Sequence, residues 1–184
     1  MKPQEHIFKA IDIRGVYEED LDEEIMEKIG NSFGKFTESG KIAVSSDVRK
    51  SSPALKSAII KGIVSSGTDC IDLGELPIVM ATFYGWENKT PTAYITASHL
   101  PKEWNGVKFF HTDGTIFKEE ENMKIKNMLF EDVAGEKKDQ TKIPAKRGVI
   151  YKENRKNVMN DYEKFLKQKI TFKRNMKIDR KSVV

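Results

Sequence analysis

The sequence predicts an α/β fold, a three-layer α/β/α domain with a mixed, mostly parallel sheet, and three observations lead to it. Short apolar runs alternate with segments whose apolar residues recur at helical spacing, as in strand–helix–strand units. Two strand-like runs flank a Thr-Asp-Gly turn, which adds an antiparallel edge. The composition, 38% hydrophobic and 33% charged over 184 residues, is typical of a globular chain rather than a disordered one.

The first third of the chain contains two predicted helices with a strand between them. Apolar residues recur at helical spacing from Leu21 to Phe36, with Asp20 as a cap and Gly40 as the end of the helix. The run KIAVS at 41–45 is a short apolar strand. A serine followed by Pro53 then opens the second helix, as a cap followed by proline in the first turn should.

The next part of the chain continues the alternation. The runs CIDL at 70–73 and TAYIT at 92–96 are predicted strands, and a helix that starts at Pro77 separates them. The runs at 106–111 and 114–117 form the predicted hairpin, and 118–130 is a closing helix. Helices between consecutive strands predict a sheet that is covered on both faces.

A change of composition after residue 130 predicts a domain boundary. We assign 1–135 to the α/β domain, 136–156 to a polar linker and 157–184 to the start of a second domain. Up to residue 136, acidic residues outnumber basic ones by 23 to 16, whereas afterwards basic residues lead by 16 to 5. Such a tail can bind nucleic acid, but it has few aromatic residues and no nucleic-acid motif. A solvated, lysine-rich linker and helix is therefore the preferred interpretation.

The cysteine content and the hydropathy of the chain favour a cytoplasmic protein. Cys70 is the single cysteine, so neither an internal disulfide nor a multi-cysteine zinc site is expected. No window approaches the about 18 consecutive apolar residues that a membrane span needs. The first residues, MKPQEHIFKAIDIRG, also contain no apolar segment of the kind found in secretory signals.

The segment with the clearest chemistry is TASHLP at 96–101, which NGVK follows at 105–108. It lies at the carboxyl end of a predicted strand, where open α/β sheets bind their ligands. Ser98 is a candidate nucleophile because His99 and Lys108 can accept its proton and balance the charge that develops. A polar turn capped by this serine fits the spacing equally well.

Two other loops are candidates for the same edge of the sheet. DIRG at 12–15 follows an apolar stretch, and SSDVRKSS at 45–52 leads from a strand to a helix. Backbone N–H groups and Arg49 would favour an anion in the second loop. Taken singly, Arg14 and Arg49 fit surface or loop-bracing roles better, but three such loops together indicate phosphate chemistry.

These residues resemble a known family. The segments IDIRG, SSDVRKSSP, DLGELP and TASHLPKEWNGVK, in this order and spacing, are similar to the first domain of the α-D-phosphohexomutases, the phosphomannomutases and phosphoglucomutases. The resemblance covers about Ile7 to Phe130 and implies the fold of the first phosphoglucomutase domain. It also implies that Ser98 is phosphorylated and exchanges its phosphoryl group with a hexose monophosphate through a bisphosphate, so that 1- and 6-phosphates interconvert.

The resemblance implies roles for six residues. The catalytic group consists of Ser98, Lys108 as a candidate general acid/base, and Arg14 as a contact of the phosphoryl group. Substrate and phosphate binding is implied for His99, Arg49 and Asn105. A Mg²⁺ ion is implied between the phosphate on Ser98 and an aspartate-rich loop. The implied partners are mannose or glucose 1- and 6-phosphate and the remaining mutase domains.

The sequence departs from the family in ways that bear on activity. Leu100 stands where the family usually has asparagine, and Ser46 stands where it has arginine. The aspartate-rich metal loop and the loops that read the sugar do not occur in this sequence, whereas 157–170 and 181–184 resemble the first helix and strand of the second domain. We therefore expect an incomplete mutase that is inactive alone. The alternative is a catalytically dead binding or interaction module of the same fold.

Overall fold

A six-stranded mixed sheet forms the centre of the fold in the computed structural model, which describes residues 3–134 and 146–170. The strands are β1 Ile13–Val16, β2 Lys41–Ser46, β3 Asp69–Glu75, β4 Thr92–Ile95, β5 Trp104–Phe110 and β6 Ile150–Lys152. They lie in the order β1-β5-β4-β2-β3-β6. β2 pairs in parallel with β3 and β4, and β3 with β6, whereas β5 runs antiparallel to β1 and β4. The predicted mixed, mostly parallel sheet is confirmed.

Helices cover both faces of this sheet. They are α1 Glu23–Thr37, α2 Ser52–Ser65, α3 Ile78–Glu87, α4 Glu119–Ala134 and α5 Arg155–Lys169. α1 packs against α2 and α4, and α3 packs against α5. In the part of the chain that the structure describes, no helix is long and apolar enough to cross a membrane. The layers are therefore helices, sheet and helices, as the alternation of strands and helices predicts.

The buried side chains of the strands alternate between two cores. On β2, Ile42 and Val44 belong to the larger core under α1, α2 and α4, and Ala43 belongs to the smaller core under α3 and α5. On β4, Ile95 faces the larger core and Tyr94 the smaller one. Successive strand residues point to opposite faces, so a strand covered on both sides is apolar throughout.

The first helix begins two residues later than its apolar pattern suggests. Asp22, not Asp20, is its cap, because the Asp22 carboxylate accepts a hydrogen bond from the backbone N–H of Ile25 at 2.8 Å. Asp20 instead accepts one from the N–H of Val16 at 3.0 Å. The helix ends at Thr37 with the next residue in the left-handed conformation, so Gly40 is not its end.

The antiparallel edge of the sheet differs from the prediction. β5 lies inside the sheet, and its antiparallel edge partner is β1, which comes from the DIRG segment. Residues 114–117 add no strand to the sheet, since only a single bridge joins Ile116 to Phe110. Phe117 instead buries its ring beside Phe109 in the larger core. A four-residue strand is too short to show periodicity, which is why the sequence alone suggested a loop there.

Residues after the predicted α/β domain add to the same sheet. β6, which falls within the predicted linker, pairs with β3. α5 packs its aromatic rings on α3, with the Phe83 ring 5.3 Å from that of Tyr162 and 5.1 Å from that of Phe165. Residues 135–145 and 171–184, including the strand-like 181–184, lie outside the described residues. The division of the chain into domains therefore stays a prediction.

Candidate active site

Ser98 lies in an exposed turn, three residues after the end of β4. Its φ of 57° is in the left-handed region, which residues other than glycine rarely adopt. The Ser98 hydroxyl lies 3.5 Å from Nδ1 of His99, which is also exposed. A residue in this strained backbone conformation persists only where its surroundings hold it, and such strain is concentrated at functional sites.

Arg49 holds the turn that carries Ser98. Its Nη1 donates hydrogen bonds to the carbonyl oxygens of Pro101 at 2.6 Å and Trp104 at 3.1 Å. Its Nη2 donates to those of Ser98 at 2.9 Å and Leu100 at 2.8 Å, and Nε donates to the Asp47 carboxylate at 3.2 Å. All five N–H groups of the guanidinium therefore have partners within the protein. This geometry makes Arg49 a brace for the serine turn.

Asp47 connects that brace to the backbone of the turn. Its carboxylate accepts hydrogen bonds from the hydroxyls of Thr96 at 2.7 Å and Ser52 at 2.6 Å, in addition to the bond from Arg49. The Thr96 hydroxyl oxygen accepts a bond from the backbone N–H of Ser98 at 2.9 Å. The conformation at Ser98 is thus fixed from both its amide and its carbonyl side.

Asn105 is fully buried and ties β5 to the start of α2. Its amide nitrogen donates to the hydroxyls of Ser51 at 2.8 Å and Ser52 at 3.0 Å. Its amide oxygen accepts from the N–H of Gly106 at 2.8 Å. Both hydrogens of the amide are used, so the structure places this side chain beneath the site and not at its surface.

Arg14 and Lys108 meet at a third residue, Asp12. Nε and Nη2 of Arg14 lie 2.7 and 2.6 Å from the two oxygens of the Asp12 carboxylate, and Nζ of Lys108 lies 2.8 Å from one of them. Among the described residues these are the only hydrogen bonds that the two cations make. Three N–H groups of Arg14 and two of Lys108 are therefore left to bind an anion, in contrast to Arg49.

Gly106 allows β1, the strand that carries Arg14, to lie close against β5. The register of β1 and β5 places Arg14 opposite Gly106. A Cβ atom there would lie 2.1 Å from the carbonyl oxygen of Ile13 and 2.8 Å from Cα of Arg14. On its other side, the Gly106 carbonyl accepts a hydrogen bond from the N–H of Thr96 at 3.0 Å. The glycine thus brings the cationic group and the serine turn to the same end of the sheet.

Beside the serine turn is an open depression of about 670 Å³. Its lining includes Lys50, Ser98, Leu100 and Lys102. Pockets of roughly 300–1,000 Å³ hold small-molecule ligands in proteins. The depression gives a ligand of that size access to the serine hydroxyl, with exposed lysines at its rim.

Tyr94 lies next to Lys108 in the register but is not a base at neutral pH. Burial, together with the charge of Asp47, raises the pKa of Tyr94 to about 12. Its hydroxyl donates a hydrogen bond to the carbonyl of Leu76 at 2.8 Å. Lys108 therefore remains the candidate proton carrier of this region.

The described residues do not form a magnesium site by themselves. Across 3–134 and 146–170, no group of three or more His, Cys, Asp or Glu residues is placed to hold a metal ion. Two carboxylates of the site, Asp12 and Asp47, are already engaged by cations and hydroxyls. Mg²⁺ prefers an octahedral set of oxygen ligands. Ser98 alone does not supply it.

Three residues of this network are absent from the sequence-based set. Asp12, Asp47 and Thr96 each accept a hydrogen bond from one of the candidate residues. Asp12 had one available signal, because it lies two positions before Arg14 and so shares its face if the segment is a strand. The roles of Asp47 and Thr96 depend on contacts across 49 residues, which no local pattern shows.

A family match over most of the chain shows its class of protein, the phosphohexomutases. Residues 5–135 match the family described as phosphoglucomutase/phosphomannomutase, alpha/beta/alpha domain I. The chain belongs to this family, and the resemblance seen in its sequence motifs is confirmed.

Two relatives illustrate that this chain matches only part of a longer protein. A phosphomannomutase of Escherichia coli is 43% identical over 105 residues, which are 55% of this chain and 22% of the relative. A protein of Thermococcus kodakarensis named probable phosphoglucosamine mutase is 33% identical over 126 residues, 66% of this chain and 27% of the relative. The chain thus matches about a quarter of the length of these relatives.

A solved structure shows the same fold. A phosphoglucomutase/phosphomannomutase family protein from Burkholderia thailandensis superposes with a TM-score of 0.79 and 23% sequence identity. The superposition covers 94% of this chain and 38% of that protein. The likeness confirms the α/β architecture predicted from the sequence.

Proposed function

We propose that this chain is the phosphoserine-bearing domain of a phosphohexomutase and that Ser98 carries the phosphoryl group. The observation that supports this most is the placement of Ser98, exposed and left-handed, in a turn that Arg49 holds with four of the five N–H donors of its guanidinium. The proposed substrates are hexose 1- and 6-phosphates. The names of the relatives include phosphomannomutase and phosphoglucosamine mutase.

In the proposed reaction, phospho-Ser98 donates its phosphoryl group to a hydroxyl of the hexose monophosphate. A new bond forms between phosphorus and the sugar oxygen, and the bond between phosphorus and Oγ breaks. The sugar hydroxyl loses its proton and Oγ gains one, with Lys108 as the proposed proton carrier. The resulting bisphosphate then returns its other phosphoryl group to Ser98 by the reverse steps.

Phosphoryl transfer depends chiefly on how the protein positions the reacting groups and on the positive charge it supplies. We assign direct phosphoryl contact to Arg14, which has spare N–H donors, and contact with phosphate to His99, whose ring lies beside the serine hydroxyl. Arg49 and Asn105 act on the phosphate indirectly by fixing the turn, since their donors are already used.

Magnesium and the rest of the mutase complete this proposal. When bound, Mg²⁺ would offset negative charge at the phosphate on Ser98, and its protein ligands would come from outside the described residues. The other mutase domains would read the sugar and hold its second phosphate. We propose a cytoplasmic enzyme whose domain boundary lies near residue 135, and we expect this chain alone to show negligible mutase turnover.

The test is phosphorylation of Ser98 in the chain itself. We expect incubation with glucose 1,6-bisphosphate or mannose 1,6-bisphosphate and Mg²⁺ to add one phosphoryl group, which peptide mass spectrometry locates on Ser98. Ser98→Ala should abolish the modification, and Ser39→Ala, which changes a serine before β2, should leave it intact. A chain that stays unmodified would contradict the proposal and favour a catalytically dead binding module.

A further inference from the structure

Asp12 holds Arg14 and Lys108, the two candidate cations whose N–H donors are only partly used among the described residues. Its side chain is 5% exposed, against 21% for Arg14 and 12% for Lys108. One carboxylate oxygen accepts from Nε of Arg14, and the other lies within hydrogen-bond distance of both Nη2 of Arg14 and Nζ of Lys108. A single carboxylate therefore fixes an arginine and a lysine from two different strands.

The strand geometry explains why these three groups meet. Arg14 follows Asp12 by two residues, so both side chains leave the same face of the chain. The register pairs Ile13 with Val107, and this brings Asp12 opposite Lys108. Two half-buried cations so close together repel each other, since Coulomb energies grow as the surroundings become less polar. The carboxylate between them offsets this repulsion.

We propose that Asp12 is a positioning residue that joins Arg14 and Lys108 into one unit, whose remaining N–H groups bind a phosphoryl group of the substrate. This rests on the proposed function. The alternative role for a carboxylate here is to weaken the positive field of the site. The two roles predict opposite effects on anion binding. Neutralising Asp12 would weaken anion binding if Asp12 positions the cations, and would strengthen it if Asp12 weakens the positive field.

The experiment compares Asp12→Asn with a matched control, Asp72→Asn. Asp72 also binds a lysine, with Nζ of Lys56 at 2.6 Å and side chains 20% and 15% exposed, but it lies on β3 away from the serine turn. Lys108 is acetylated with acetic anhydride, with and without glucose 1,6-bisphosphate, and its modification rate is measured by peptide mass spectrometry. Phosphorylation of Ser98 is followed in the same samples.

We expect the bisphosphate to protect Lys108 in the unaltered chain and in Asp72→Asn, and to protect it little in Asp12→Asn. Without ligand, Lys108 should react faster in Asp12→Asn, because Nζ loses the carboxylate oxygen that holds it at 2.8 Å and becomes more accessible to the reagent. Phosphorylation of Ser98 should slow by about tenfold or more, since displacing reacting groups by an ångström can cost about 10²-fold. Asp12→Glu keeps the charge but moves the carboxylate, and it should lose protection as well.

The outcomes separate this proposal from the one on which it rests. Protection of Lys108 without any phosphate on Ser98 would contradict the proposed function and leave the positioning role standing. Equal or greater protection in Asp12→Asn, or no protection in the unaltered chain, would overturn the positioning role. Should Asp12→Asn fail to fold, full protection in Asp12→Glu would overturn it.

Discussion

Arg49 shows how a single side chain decides the shape of the site. Four of its five hydrogen bonds end on backbone carbonyls of the serine turn and its continuation. Backbone acceptors are present whatever side chain stands there. The bond from Arg49 to the Leu100 carbonyl, at 2.8 Å, therefore does not depend on the side chain at position 100.

We expect Arg49→Lys to loosen the turn even though the charge is kept. Lysine has three donors on one nitrogen and cannot span acceptors that surround a planar guanidinium. The free energy of unfolding should fall by about 2–4 kcal/mol, because several charge-assisted hydrogen bonds are lost. Urea denaturation and hydrogen exchange over 97–104 measure both effects. Arg155→Lys is the control, since this exposed arginine makes one long contact, 3.5 Å to the Glu75 carbonyl. Equal losses in both variants would contradict the bracing role.

At the level of elements, α5 is attached through aromatic rings. Phe83 on α3 lies 5.3 Å from Tyr162 and 5.1 Å from Phe165, and Trp86 lies 5.6 Å from Phe165. Val158 is the buried residue of α5. Apart from Met159 and Leu166, the rest of this helix is polar and charged, so a small number of apolar contacts hold it against α3. An element held by so few contacts can unfold locally while the core stays folded.

Phe83→Ala should release α5 and leave the larger core intact. Loss of the ring contacts of a half-buried phenylalanine should cost about 1–3 kcal/mol of local stability. Hydrogen exchange and limited proteolysis over 155–169 measure the opening, with exchange in β2 and β4 as the internal reference. Met159→Ala, an exposed change on the same helix, should have no such effect. If exchange rises equally throughout the sheet, α5 belongs to one cooperative unit with the core.

At the level of the whole molecule, the strand order brings distant motifs to one end of the sheet. β4 and β2 run in parallel, so the serine turn and the loop that carries Arg49 leave the sheet at the same edge. β1 lies antiparallel to β5 and delivers Arg14 beside the start of that strand. The site therefore depends on the integrity of the entire sheet and not on any one loop.

The Cys70 thiol reports on that integrity. It lies fully buried on β3, and burial raises its pKa. The folded chain thus holds this proton more tightly than the unfolded chain, in which the thiol has a pKa of about 8.5. The contribution of this thiol to stability is present below that pH and is lost as the pH rises above it.

We expect a thiol reagent to label Cys70 only when the sheet unfolds. The labelling transition in urea should coincide with the loss of helical circular dichroism. The unfolding free energy should also fall above pH 8.5 by more in the unaltered chain than in Cys70→Ala, which serves as the control. Rapid labelling of the native chain at neutral pH would contradict the buried position.

The sequence by itself determined the order and type of most elements and the family, and it proposed Ser98, Arg14 and Lys108 as candidate site residues. It could do so because apolar periodicity and short motifs are properties of neighbouring residues. Only the tertiary structure decided which of the candidate cations keep unused N–H donors, since the donors of Arg49 are used by carbonyls about 50 residues away and Lys108 meets Asp12 across 96 residues. Hydrogen-bond donors are consumed by whatever the fold brings near them, and a linear pattern does not record those distances.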